Sequence, residues 1–147
     1  THVAEHYSKN LLFLSFIIFR YVGVTDPMDT SPMIIQGPDL PVTITNHCVV
    51  NSDNVMKAFI MGGYDYGYGV VSSATHIFNF DDQTWQQGPS LIEGRYFHAC
   101  GILKDGNDYI IVVAGGTGET TYLSSVELYN LGSGTSWYAG PEMANHM

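Results

Sequence analysis

The sequence predicts an all-β chain made of repeated four-stranded antiparallel meanders, and three observations predict it. A Gly-Pro turn returns three times, in "IIQGPDL", "WQQGPSL" and "WYAGPEM", with Gly37, Gly88 and Gly140 lying 51 and 52 residues apart. Charged residues make up only 13% of the 147, against roughly 25% in an ordinary soluble domain, while Gly (16) and Tyr (10) are abundant. Two apolar runs, Ala58 to Met61 and Ile110 to Ala114, each end in a Gly-Gly pair. A period of this kind has to be resolved before any single motif is read.

Superposing the Gly-Pro turns aligns much else. At an offset of 51, Leu40 falls on Leu91 and His47 on His98; "ATHIFNF" falls on "SVELYNL", with Phe78 on Tyr129. Gly62-Gly63 falls on Gly115-Gly116 at 53, and Trp85 on Trp137 at 52. Slips of one or two residues need only short changes in loops, where repeats tolerate them.

The second copy gives the clearest unit. A strand begins near His98 in "HACGIL", turns at "KDGND" and returns as "YIIVVA" into Gly115-Gly116. Asp105-Gly106 is strong hairpin chemistry, because Gly takes positive φ without steric cost. The longer loop "TGETTYLS" leads to a third strand, "SVELYN", and "LGSGT" to a fourth, "SWYAG". Because the runs before the Gly pairs are apolar without alternation, both faces of that strand are expected to be covered. Sheets stacked face to face, four strands each, at a period near 50 residues are the arrangement of a β-propeller.

These residues resemble the kelch repeat family: an apolar run ending in Gly-Gly ("AFIMGG", "IIVVAGG"), then an aromatic (Phe78, Tyr129), then Trp85 or Trp137. The resemblance covers about residues 33 to 147, with Phe78 in place of the usual Tyr and Ile34 where a Trp would precede the first Gly-Pro. It implies kelch-type β-propeller blades in a partial propeller. The end of a preceding blade is expected over 33–40, full blades over 41–91 and 92–143, and the start of another over 144–147. Residues 1–32 show no repeat and stand as an unassigned leader. Gly62, Gly63, Gly115 and Gly116 are expected as structural positions that permit positive φ and close backbone approach. Phe78, Trp85, Tyr129 and Trp137 are expected to pack one blade on the next.

Little in the chain points to chemistry. His2 and His6 have a helical metal-ligand spacing but no third ligand, and His47 and His98 recur at one repeat position, as scaffold residues do. "FDDQTW" reads as a solvated turn, and "GGTGET" lacks both the Lys and the helix of a phosphate loop. No metal, cofactor or catalytic residue is therefore expected. The alternative is a fragment of a galactose oxidase-like propeller enzyme, which shares the architecture but needs a Tyr/His copper set and a further domain.

The leading expectation is a non-enzymatic protein-interaction scaffold. In kelch propellers the loops between second and third strands, with the entrances of the first strands, ring one mouth and bind partners, some members acting as substrate adaptors of ubiquitin ligases. The resemblance places Tyr64, Asp65, Tyr66 and Tyr68 in one such loop, Thr120, Thr121 and Tyr122 in the other, and Arg95 at a strand entrance. Tyr on a Gly-loosened loop joins apolar area to a hydrogen-bonding tip. One or two of these rings tucking back onto the blade is an equal expectation.

The totals bound the partner. Five bases (Lys9, Arg20, Lys57, Arg95, Lys104) against 14 acids leave a formal net charge of -9, with no basic stripe to neutralise a nucleic-acid backbone or an anionic membrane. Leu11 to Phe19, "LLFLSFIIF", is too short to span a bilayer. It reads as a buried strand, as non-native translated sequence or as a signal-peptide core. The cytoplasm is favoured, with secretion following if the run is a signal core. Cys48 and Cys100 fall one position apart in the superposed repeats, on strands whose side chains alternate in direction. Two buried free thiols are expected.

Overall fold

A computed structural model of the chain describes residues 38–144. The leader over 1–32 with its Leu11–Phe19 run, most of the partial unit over 33–40, His2, His6 and residues 145–147 lie outside them. In chain order the strands are β1 (Ile44–Thr45), β2 (Cys48–Ser52), β3 (Lys57–Met61), β4 (Tyr64–Asp65), β5 (Val70–Val71), β6 (Thr75–Asn79) and β7 (Thr84–Gln87). They continue with β8 (Ala99–Asp105), β9 (Asp108–Ala114), β10 (Val126–Asn130) and β11 (Tyr138–Ala139), all within the compact unit that begins at Val42. The described residues contain no helix, and the fold is all-β as the composition and period predict.

Two four-stranded antiparallel meanders carry the architecture, β2-β3-β6-β7 and β8-β9-β10-β11, and a small sheet, β1-β4-β5, sits at one end of the first. Local chemistry explains their turns. Asp105 pairs with Asp108 across Gly106-Asn107, and only the Gly of those two has positive φ (61°), the φ pattern of a type II′ hairpin turn. The Gly pairs also stand where a side chain does not fit. Gly63 (φ 101°) and Gly116 (φ 87°) are left-handed, and a Cβ on them would come within 2.8 Å of the Thr45 carbonyl and 2.6 Å of the Tyr96 carbonyl.

The Gly-Pro crossings repeat their hydrogen bonds as well as their letters. Gly88 N–H donates to Thr75 O and Leu91 N–H to Ser73 O; one repeat on, Gly140 N–H donates to Val126 O and Met143 N–H to Ser124 O. Each crossing is thus tied back to the start of the third strand of the sheet it leaves.

The core lies between the sheets. Val50, Phe59, Met61 and Ile77 on the first sheet meet Ile111, Val113 and Trp137 on the second, with Leu91 from the crossing and partly buried Cys100, Ile102 and Tyr129 at the margins. Fully burying each such side chain contributes about 1.5–3 kcal/mol. Two aromatic pairs recur at the repeat spacing, Phe78–Trp85 at 5.0 Å and Tyr129–Trp137 at 5.4 Å between centroids. The Trp137 indole N–H donates to Pro89 O at 3.0 Å, so the fourth strand region of one unit is bonded to the turn that opens it.

The expectation for the apolar runs holds fully in one copy only. Ala58, Phe59, Ile60 and Met61 in β3 are all buried, whereas β9 alternates between buried Ile111 and Val113 and half-buried Ile110, Val112 and Ala114. An apolar run marks a strand able to be covered twice; whether it is depends on what packs on each face.

The cysteines correct a second expectation. Cys48 and Cys100 form a disulfide, with Cα atoms 6.1 Å apart, and neither is free. The one-position offset that argued against a bridge is what permits it. Sheets stacked in series present opposite faces to each other, so partners across the gap must sit at opposite parity in the repeat. Cys48 shares a face with Val50, and Cys100 shares one with Ile102; those two faces meet at the seam.

Candidate functional site

The end of the sheets at which β2 begins and β3 ends gathers all the loop residues singled out from the sequence. Tyr64 and Asp65 form β4, paired with β1 on one side and β5 on the other, so the Tyr-rich segment is a hairpin and not a loose loop. Asp65 organises its tip: Oδ1 accepts from the backbone N–H of Gly67 (2.8 Å) and Tyr68 (3.2 Å), while its carbonyl accepts from Gly69 N–H (2.7 Å). This Asx-type turn holds Tyr66 and Tyr68 out in solvent, 65% and 85% exposed. Tyr64 tucks back, half-buried, and bridges Tyr66 on one side (5.1 Å between centroids) to Tyr96 on the other (5.8 Å), both edge-on.

Tyr96 and Phe97 carry the track into the second unit, and neither was singled out from the sequence. Their rings lie 5.2 Å apart, and Phe97 is 68% exposed. Tyr96 bridges Thr117, which bridges Tyr122, itself 68% exposed. Directly opposed residues of antiparallel segments put their side chains on the same side, so Tyr122 stands on the face that Tyr96 shows. Thr120 and Thr121 are exposed beside it, and the Thr121 hydroxyl donates to the neighbouring Tyr122 O at 2.7 Å. Phe97 adopts φ 54°, a left-handed conformation that disfavours an L side chain by roughly 1–2 kcal/mol. The matching residue one repeat earlier, Asn46, has φ 55° and accepts from Phe97 N–H at 3.0 Å. The repeat therefore imposes the backbone, Asn tolerates it well, and the second unit places an aromatic ring there instead. A run of two aromatics in "RYFHA" at a strand entrance was the available signal.

Arg95 is placed otherwise than its expected role as a contact residue requires. It is wholly buried and spent inside the protein. Nη1 donates to the carbonyls of Gly115 and Ser125 (both 3.0 Å), and Nη2 to Ser125 Oγ (2.9 Å) and to Glu127 Oε1 in an ion pair of 2.7 Å. The Glu127 carboxylate also accepts from the backbone N–H of Ile92 (2.6 Å) and Glu93 (3.1 Å). Breaking such a buried pair from one side costs about 3–5 kcal/mol, so the Arg95–Glu127 clasp fixes the crossing 91–95 against β10. Its backbone lies at the end of the sheets where β3 ends, accepting from Gly63 N–H, while its side chain points inward.

Three histidines lie behind the aromatic track. Burial lowers the pKa of His47 and His76, with His76 adding to the effect on His47 and Asp65 partly opposing it on His76. Burial, reinforced by the Arg95 guanidinium and by His47, pulls His98 down to about 4. Backbone hydrogen-bonding groups of Ile44 and Met61 oppose these shifts in part at His47 and His98, and His98 packs against Gly62, where a Cβ would lie 2.8 Å from its Cε1. Burial thus disfavours the charged form of all three rings. Among the described residues no group of three or more His, Cys, Asp or Glu side chains is placed to hold a metal ion. No helix of the described residues is long and apolar enough to cross a membrane.

No protein-family model matches the chain. The chain is similar to an F-box/kelch-repeat protein of Arabidopsis thaliana, 24% identical over 132 residues, which is 88% of this chain and 29% of that protein. The likeness is distant, and the chain spans less than a third of that relative's length. It places kelch-like repeats beside the four-stranded meanders as two indications of the same architecture.

Proposed function

We propose that this chain is a non-enzymatic protein-interaction module, a part of a kelch-type propeller that binds a protein partner at the mouth where Tyr66, Tyr68, Phe97 and Tyr122 emerge. A substrate-adaptor role within a longer protein is the finer form of this reading, in keeping with the name of its Arabidopsis relative. The single observation that supports it best is the aromatic track itself: exposed Tyr66 of the first unit and exposed Phe97 of the second are joined through Tyr64 and Tyr96 by ring contacts, while Phe59, Phe78, Phe80 and Trp137 elsewhere are buried. Tyr and Phe concentrate contact energy at interfaces because they present large rigid area with few rotors.

A photoreactive phenylalanine analogue placed at Tyr66 or Tyr122, and separately at Asp81 in the β6–β7 turn at the opposite end, tests this in extract. Cross-linked protein adducts confined to the two mouth positions are expected. Equal cross-linking at Asp81, or none at the mouth, would remove the reading.

A further inference from the structure

We propose that the partner segment at this mouth is basic, with Lys or Arg side chains laid over the tyrosine and phenylalanine rings; this rests on the interaction-module reading above. Charge placement carries it. The described residues hold three cations, Lys57, Arg95 and Lys104. Arg95 is neutralised by Glu127 inside the protein. Lys57 opens β3 and Lys104 nearly closes β8, which puts both at the far ends of their sheets, away from the mouth. At the mouth end the acids remain: Asp65 in the hairpin, Glu93 and Glu119 exposed, and Glu142, which accepts from Ser124 Oγ beside the start of β10. The aromatic track is therefore rimmed by carboxylates with no free cation among the described residues of that end.

Such a rim selects against an acidic ligand and raises the local concentration of a basic one. Ring faces then supply the short-range part, since a guanidinium or ammonium within about 6 Å of a ring centroid is attracted by its quadrupole. Phe97 adds an independent sign. Its left-handed backbone is comfortable for the Asn46 of the other unit, so the exposed ring is not needed by the fold.

The test uses the full 147-residue chain and three fluorescein-labelled peptides of sequence Gly-X-Gly-X-Gly-X-Gly, with X as Arg, Glu or Ser, followed by anisotropy at 50 and 200 mM NaCl. The Arg peptide is expected to bind at least tenfold more tightly than the other two and to weaken with salt. Tyr66→Ala and Phe97→Gly are each expected to weaken it about 2–5-fold. Glu93→Gln with Glu119→Gln should weaken it further, whereas Asp81→Asn with Asp82→Asn, the same charge change at the opposite end, should leave it within twofold. Equal losses from the two acidic pairs would overturn the proposal, because they would mean diffuse attraction to an acidic protein. Ring-dependent binding of the Glu or Ser peptide would overturn the basic partner and leave the interaction mouth standing. No binding of the Arg peptide would also overturn it, while mouth-confined cross-links would still uphold the module.

Discussion

The seam between the two sheets and the mouth at their end use the same residue types for opposite ends. At the seam, Phe59, Tyr129 and Trp137 are packed with Ile111 and Val113, closed by a disulfide and flanked by a buried ion pair. At the mouth, Tyr66, Tyr68, Phe97 and Tyr122 meet water. The difference teaches that an aromatic count says nothing about role until burial is known. At the seam the rings contribute folding energy; at the mouth they stay in water and contribute little to it.

This contrast breaks most visibly at Trp137. Trp137→Ala removes a 5%-exposed indole and its bond to Pro89, and a loss of about 3–5 kcal/mol is expected in urea unfolding. A loss below about 1 kcal/mol would show that the seam is not the core. Nearly as large is the disulfide. Cys48 and Cys100 are 52 positions apart, and a closed loop of that length restrains the unfolded chain by about 4 kcal/mol. Cys48→Ser with Cys100→Ser, compared with the parent under non-reducing conditions, should lower the unfolding midpoint accordingly. An unchanged midpoint would mean that the sheets hold together without the staple.

His98 stands between the two regions and makes the third test. Its folded pKa of about 4 lies below the ordinary 6.5, so the unfolded chain binds more protons as pH falls below 6.5. Stability is complete above that value, declines between 6.5 and 4, and levels off below. At pH 5 the deficit from His98 alone is on the order of 2 kcal/mol, with His47 and His76 acting in the same direction. Thermal melts from pH 7.5 to 4.5 should show this slope, and His98→Asn should flatten most of it; a slope retained in full would assign it to other groups.

The smallest effects on stability belong to the mouth. Tyr66→Ala should stay within about 0.5 kcal/mol of the parent, and Phe97→Gly should be neutral or up to about 1 kcal/mol more stable because it relieves a left-handed residue. A loss of 2 kcal/mol or more in either would make the mouth part of the core and erase the contrast.

Legibility in the sequence followed the same division. The β8–β9 hairpin could be read because Asp105-Gly106 is local chemistry, and the four-strand unit because the crossings repeat. Tyr96 escaped notice because nothing within "RYFHA" tells which of two adjacent rings will meet Tyr64 from the other unit. Arg95 reads as an outward contact residue from the sequence because its partner Glu127 lies 32 residues on, in the third strand of the same unit.

What the sequence by itself determined was the period, the four-stranded meander of each unit, the left-handed Gly pairs and the all-β class, because each depends on neighbours within a few residues or on spacing that recurs; the small sheet β1-β4-β5 was not among them. Only the tertiary structure decided which faces meet. Stacked sheets join opposite faces, so the odd offset of Cys48 and Cys100 became a bridge; separately, Arg95 turned in to Glu127 of its own unit, and the rings of Tyr66, Phe97 and Tyr122 were left outside. Those outcomes depend on contacts between residues tens of positions apart, and pairing across a seam is a property of the packed sheets, not of any stretch of chain.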